Sequence, residues 1–364
     1  MNIVLLVLYY IMSEPFQTIS LNGKVLIDGP YVTYTKEKIY STSIFEEGGV
    51  KSTVTDSFPI AEKKSITLQV ATDEPGKTFP VRLKAKMDNE RAEYGKVSKL
   101  LVMSDIEANF KAFRTLLQVN GVIDENFNWI YGKGHLALTG DFFDRGNQQN
   151  EVLWLIYSLE EQAKAAKGYV HFILGNHEIM NMSGDFRYVN PRYMEHAKMM
   201  KEPYISLYWD DTELGRWLRT KNIAEKIGDI LFVHGGISAL VNLMGMPAPQ
   251  INDIARPYYP DTAYNYPDIK VEILFSDLGP FWYRGYYSQK AKATSKQIDS
   301  TLSLFNVKYI ATGHTVIADT ISVLFDGRVF NTDVYHAKGI SEAMLVEEGK
   351  FYRINSKGEK KLLK

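Results

Sequence analysis

From residue 95 onward, short apolar runs alternate with longer stretches whose apolar residues recur three and four positions apart. The short runs, Lys99–Met103, Leu136–Thr139, Tyr169–Leu174, Ile230–Val233 and Tyr309–Thr312, predict strands. The longer ones, Phe110–Val119 and Glu151–Lys167, predict amphipathic helices. Their alternation predicts a layered α/β domain over residues 95–364. Upstream, residues 16–90 hold β-favouring runs such as Tyr31–Tyr34 and Ser65–Val70, broken by Gly, Pro, Asp and Lys, which predict a small antiparallel β module. The polar stretch Met87–Tyr94 links the two. Each strand of the α/β part is followed at once by polar, metal-competent residues. Ligands of such sheets sit beyond the carboxyl ends of the strands, so one shared crevice is expected. The aromatic-rich stretches 185–209 and 257–287 are too long for tight turns and predict partly helical insertions over that crevice.

Residues 1–15 form an apolar leader whose run Ile3–Met12 has the length of a signal sequence and is too short to span a bilayer as a helix. No Lys or Arg precedes it, and Ser13-Glu14-Pro15 is not a small-residue cleavage site. Export or a membrane tether through residues 1–12, a cytoplasmic location and a buried leading strand all stay open. Composition narrows the classes further. Lys plus Arg number 42 against 43 for Asp plus Glu, so no global field draws in a nucleic-acid polymer, and an anionic ligand must be held locally. Hydrophobic residues make up 45%, which suits a folded globular chain. There is no cysteine, which removes disulfides, thiolate nucleophiles and Cys-based zinc sites.

The candidate chemistry lies at the strand ends. After the first strand comes Ser104-Asp105-Ile-Glu107-Ala-Asn109, two carboxylates able to face one cation; alone, Ser104 with Glu107 also reads as a helix capping box. After the second comes Gly140-Asp141-Phe-Phe-Asp144-Arg145-Gly146. Here one carboxylate can bridge metals, a second can orient an acid or base, and an Arg can fork onto phosphate; a Gly-flanked surface turn is the bland alternative. The third gives Gly175-Asn176-His177-Glu178, an amide oxygen for a metal beside an imidazole for proton transfer, or merely an Asn turn. The fourth and fifth end in His234-Gly-Gly236 and Gly313-His314-Thr315. Taken singly these signals are ambiguous, but their joint occurrence, in order and always at a strand end, is not. His135, His171, His196 and His336 have no comparable setting; the first three read as structural or exposed, and for His336, after Asn331–Tyr335, a place beside the crevice is the minority reading.

Over residues 99–334 these blocks resemble calcineurin-like metallophosphoesterases, near the phosphoprotein phosphatase branch with its bacterial and Shewanella-like members. Ser276–Gly285 is similar to the arginine-bearing segment of those relatives. The resemblance implies a four-layer α/β/β/α sandwich and two metal ions. By it, Asp105 and Asp141 hold the first ion, with Asp141 bridging to a second completed by Asn176, His234 and His314. His177, oriented by Asp144, protonates the leaving oxygen, and Arg145 and Arg284 bind the phosphoryl group. One position departs from the pattern: Glu107 stands where the family usually has a His. Glu107 is expected to bind the first metal, directly or through water, and its harder oxygen favours manganese, magnesium or iron over zinc, manganese foremost. The implied activity is phosphoester hydrolysis with metal-activated water, on a phosphoprotein, Ser/Thr type included, or a small phosphoester. A hydrolase of dinucleoside polyphosphates or cyclic nucleotides is the nearer alternative, and a catalytically weak metal-binding cell-surface module the more distant one.

Overall fold

A computed structural model describes residues 20–21, 23–288 and 292–364; the apolar leader lies outside the described residues. Four antiparallel strands open the described chain: β1 (Ser20–Leu21), β2 (Lys24–Tyr34), β3 (Lys38–Glu47) and β4 (Val50–Pro59). A hairpin follows, β5 (Thr67–Ala71) with β6 (Thr78–Arg82). The rest of the chain supplies β7 (Glu93–Tyr94), β8 (Lys99–Met103), β9 (His135–Thr139), β10 (Tyr169–Ile173), β11 (Ala224–Ile227), β12 (Ile230–Val233), β13 (Tyr309–Thr312), β14 (Ser322–Leu324), β15 (Val329–Asn331), β16 (Glu342–Glu347), β17 (Lys350–Asn355) and β18 (Lys360–Leu362). Helices used below are α1 (Phe110–Val119), α2 (Gln149–Ala165), α3 (Asn176–Ser183), α4 (Pro191–Met200) and α5 (Glu213–Arg219).

Two six-stranded mixed sheets form the centre, in the orders β10-β9-β8-β16-β17-β18 and β14-β15-β13-β12-β11-β7. Strand alternation explains why they stack. Along β8, Leu100 and Val102 share an apolar cluster with Phe232, Ala311 and Phe330 of the opposite sheet, while Leu101 and Met103 share one with Phe110, Phe113 and Leu153 of the helical layer. Both faces of β8 are thus apolar, as a strand buried on two sides requires. The result is the mixed α/β sandwich of the metallophosphoesterase type, with helices outside two packed sheets. Within the first sheet β8, β9 and β10 run parallel, and within the second β12, β13 and β15 do. All six carboxyl ends therefore emerge at two adjoining edges.

The hydrogen bonds β3 makes with β2 and β4 build the N-terminal sheet, whose Tyr31, Ile39 and Ile44 join the same apolar layer as α1 and α2. Trp154 of α2 is fully buried there and donates its indole N–H to the Pro30 carbonyl at 2.9 Å. The insertions expected at 185–209 and 257–287 contain α4, the 3-10 turns Tyr204–Tyr208 and Arg256–Tyr258, and a helix over Ile269–Phe275. No helix among the described residues is long and apolar enough to cross a membrane.

Candidate metal and phosphate site

The loops leaving β8, β9 and β13 bend through the left-handed region. Asp105, Glu107, Ala108, Asp141, Asp144, Arg145 and His314 all have φ between 50° and 69°. Non-glycine residues seldom adopt this conformation, and each such residue costs on the order of 1–3 kcal/mol. The loops are held in it by bonds that carry the β8–β9 pairing past the strand ends: Asp105 N–H to Gly140 O (2.9 Å), Glu107 N–H to Asp141 O (3.0 Å) and Ala108 N–H to Phe142 O (2.9 Å). Gly140, at φ 87°, could carry no side chain, since a Cβ there would lie 2.5 Å from His234 Nδ1 and 2.6 Å from the Gly175 backbone. A Cβ on Gly313 would collide with the Asp105 carboxylate. The strain serves to aim side chains into one volume.

That volume is a cavity of about 430 Å³ lined by Asp105, Glu107, Asp141, Arg145, Asn176, His177, Arg284 and His314, with Tyr188 and Trp282 from the two insertions. Ligand atoms of Asp141, His234 and His314 lie within 4.8 Å of one another, and all three residues are buried. His234 Nδ1 stands 2.7 Å from the Thr139 carbonyl, which only an N–H can satisfy, so in the neutral ring Nε2 bears the lone pair. Yet Nε2 faces Asn176 Oδ1 at 3.0 Å and Asp141 Oδ2 at 3.1 Å. Three electron-rich atoms repel unless something positive joins them. Burial pushes the His234 imidazolium down, but the Asp141 carboxylate outweighs it and lifts the pKa to about 10, so a proton or a cation is wanted at that point. His314 Nε2 lies 3.2 Å from the Trp282 carbonyl, which leaves its Nδ1 as the ligand nitrogen. On the other side, burial raises the Asp105 carboxyl to about 6, although its oxygens accept the His314 N–H at 3.0 and 3.1 Å. An oxygen and imidazole set of this kind fits divalent cations.

Beside this set stands a proton-handling pair. His177 Nδ1 is 2.6 Å from Asp144 Oδ2, and Asp144 Oδ1 accepts from Asn181 Nδ2 at 2.9 Å. Burial opposes the charged ring, but Asp141 and Asp144 prevail and raise the His177 pKa. Tyr204 donates to Asn181 Oδ1, and Gln149 accepts the Asp144 N–H, so Asp144 is fixed from both ends. At the mouth the two arginines are exposed. Arg284 Nη1 donates to the His314 carbonyl at 2.8 Å and to Thr315 Oγ1 at 2.9 Å, and Arg145 lies over the Tyr188 ring, 5.3 Å from its centre.

All ten residues singled out from the sequence thus meet at one site, His234 and Asp144 as the walls behind the cavity. Glu107 does not cap a helix with Ser104: the cap of α1 is Asn109, whose Oδ1 accepts the Ala112 N–H at 3.1 Å. Instead the Glu107 carboxylate forms an ion pair with Arg145. His135, His171 and His196 are structural. His135 and His171 share a 2.8 Å bond, His171 also meets Glu225, and His196 pairs with Asp28. His336 does line the cavity. Two residues went unmarked in the sequence reading. Glu178 accepts the backbone N–H groups of Asp141 (3.0 Å), Phe142 (2.8 Å), Phe143 (3.3 Å) and Gly175 (2.6 Å) and so clamps the loop bearing Asp141 to the start of α3. Its place inside the third block was the only hint. Asp333, which burial and the neighbouring Asp105 push up to about 9, also lines the cavity and gave no signal at all.

Comparison with known proteins agrees with this geometry. Residues 98–318 match the calcineurin-like phosphoesterase family, and the chain belongs to it. It is a phosphoester hydrolase of the phosphatase kind, a metal-dependent class. It is 27% identical over 228 residues to Shewanella-like protein phosphatase 1 of Plasmodium berghei, covering 60% of this chain and 61% of that one. It is 23% identical over 298 residues to Shewanella-like protein phosphatase 2 of Arabidopsis thaliana, covering 70% and 75%. The solved structure of a cold-active protein-tyrosine phosphatase from a psychrophilic Shewanella superposes with a TM-score of 0.82 at 34% identity, covering 93% of this chain and 99% of that one.

Proposed function

We propose that this protein hydrolyses phosphomonoesters of proteins, phosphotyrosine among them, at a pair of metal ions. The convergence of His234 Nε2, Asn176 Oδ1 and Asp141 Oδ2 on one point is the observation that carries the metal reading. Asp105 and Asp141 would hold one ion, and Asp141, Asn176, His234 and His314 the other, with manganese favoured by the oxygen-rich first set. When bound there, such ions supply Lewis acidity and an activated water. The chain's own residues do the rest. Arg145 and Arg284 grip the phosphoryl oxygens at the mouth, and their charge offsets the negative charge that develops during transfer. His177 holds a proton on the nitrogen opposite Asp144 and gives it to the departing oxygen, while Asp144 fixes its tautomer. Tyr188 and Trp282 at the cavity offer apolar surface that suits an aryl leaving group.

The substrate class is supported by the likeness to the Shewanella protein-tyrosine phosphatase and by this aromatic lining. The weak-binding alternative gains nothing from the site, since metal binding alone has no use for the Asp144–His177 pair. The division of the chain near residues 90–95 belongs to the same proposal, with the N-terminal strands buttressing α2 and taking no chemical part. Turnover of an aryl phosphate by Asp141→Asn and His177→Asn is expected to fall by about 10²–10⁴-fold or more with the fold intact. A panel of phosphotyrosine and phosphoserine peptides and dinucleoside polyphosphates is expected to favour the peptides. Near-normal turnover in both variants, or preference for nucleotides, would sink the reading.

A further inference from the structure

Asp333 follows β15, the parallel neighbour of β13, whose following loop carries His314. It is 6% exposed and lines the same cavity as Asp105 and Asp141. Its loop is tied down on every side. Asn331 Oδ1 accepts the Asp333 N–H at 2.8 Å, and Asn331 Nδ2 donates to the Thr315 carbonyl at 2.7 Å. Thr332 bonds the Thr312 carbonyl through its N–H (2.8 Å) and its hydroxyl (2.9 Å), and the hydroxyl also meets Ser104 Oγ at 3.0 Å. The backbone is therefore held, yet no hydrogen-bond donor or cationic side chain among the described residues reaches the Asp333 carboxylate oxygens. Buried carboxylates are ordinarily paired, hydrogen-bonded or bound to a metal. Glu107, the residue expected from the sequence to complete the first metal, has its carboxylate on Arg145.

We infer that Asp333 is a ligand, directly or through one water, of the cation on the Asp105 side, and that Glu107 acts only by positioning Arg145. The inference rests on the metal reading above and goes beyond it by adding a carboxylate from the second sheet, so that each sheet contributes three residues to the centre. An oxygen donor set of this kind selects Mn²⁺ or Mg²⁺ over Zn²⁺.

The test uses the full chain stripped by chelator and titrated with Mn²⁺, the free ion counted by electron paramagnetic resonance. Wild type is expected to bind two ions. Asp333→Ala should keep one and weaken the other by at least about tenfold, and by more than about a hundredfold if the contact is direct. Asp333→Asn, close in shape, guards against a folding failure: its metal-free melting temperature should be at or above that of wild type, with the same site weakened. Glu107→Gln should bind two ions with unchanged affinity and raise KM for a phosphoester. Two ions held at wild-type affinity in both Asp333 variants, or an ion lost in Glu107→Gln, would overturn the assignment. A wild type that binds fewer than two ions would instead overturn the two-metal reading beneath it, along with this inference.

Discussion

At the scale of single residues, the site depends on groups that touch no substrate. Glu178 is fully buried and takes four backbone N–H groups, so Glu178→Ala would leave several of them without an acceptor. Each orphaned buried donor costs about 1–3 kcal/mol, and the variant is expected to lose about 3 kcal/mol or more in urea denaturation. A loss below about 1 kcal/mol would show that the clamp is dispensable. Asp144 makes a different contribution. Asp144→Asn keeps the shape but presents an amide to His177 Nδ1, which favours the wrong tautomer. The expected result is a fall in kcat of about 10²–10⁴-fold with KM little changed, read with an aryl phosphate. Equal loss in KM would point to a structural defect instead.

At the scale of elements, the five strands that carry the site were legible because each is a short apolar run with both faces buried, ended by Gly, Asp or His. The start of α1 was legible too, although its cap proved to be Asn109. α2 shows where local reading stops. It begins at Gln149, two residues before the apolar periodicity does, because Gln149 and Asn150 are polar yet buried. Gln149 bonds the Asp144 N–H, Tyr204 and Tyr208, and Asn150 bonds Asp28, all distant in sequence or invisible to periodicity. The strands β16 to β18 have no signal of this kind: β16 joins the sheet through a non-local pairing with β8, and β17 and β18 follow it outward to a partly exposed edge. α2 also ties the N-terminal sheet to the centre through Trp154. Trp154→Ala is expected to cost about 3–5 kcal/mol of stability. A cost under about 1 kcal/mol in chemical denaturation would show that the N-terminal strands add nothing to α2.

At the scale of the whole molecule, a buried charge cluster joins three distant segments. Glu160 of α2 meets Lys84 from the stretch after β6, Lys221 after α5 at 2.7 Å, and the Trp217 indole N–H at 3.0 Å, while Lys221 also reaches Glu90 at 3.1 Å. Burial alone would raise the Glu160 carboxyl, but Lys221 and Lys84 prevail and hold it at about 2, against an ordinary 4.5. A depressed carboxyl binds its proton less tightly in the folded state than in the unfolded one. Its contribution is therefore present above about pH 4.5 and is lost as pH falls toward about 2. Glu160→Gln strands two buried ammonium groups on one remaining carboxylate and is expected to be less stable at pH 7 by about 3–5 kcal/mol. The gap to wild type should narrow between pH 5 and pH 2, followed by urea unfolding at each pH. A gap that stays constant or widens on acidification would contradict the assigned charge state.

What the sequence by itself determined was the class of fold and the set of chemical groups. Apolar period and the polar residues that stop each strand are local properties, and local properties are written in order along the chain. The tertiary structure alone decided which carboxylate meets which neighbour. Glu107 and Asp333 are both acidic residues after short strands, and no spacing rule separates them. The pairing of β8 with β9 places Arg145 against one, and the meeting of the two sheets brings the other to the shared cavity, because electrostatic pairing depends on distance in space and not on separation along the chain.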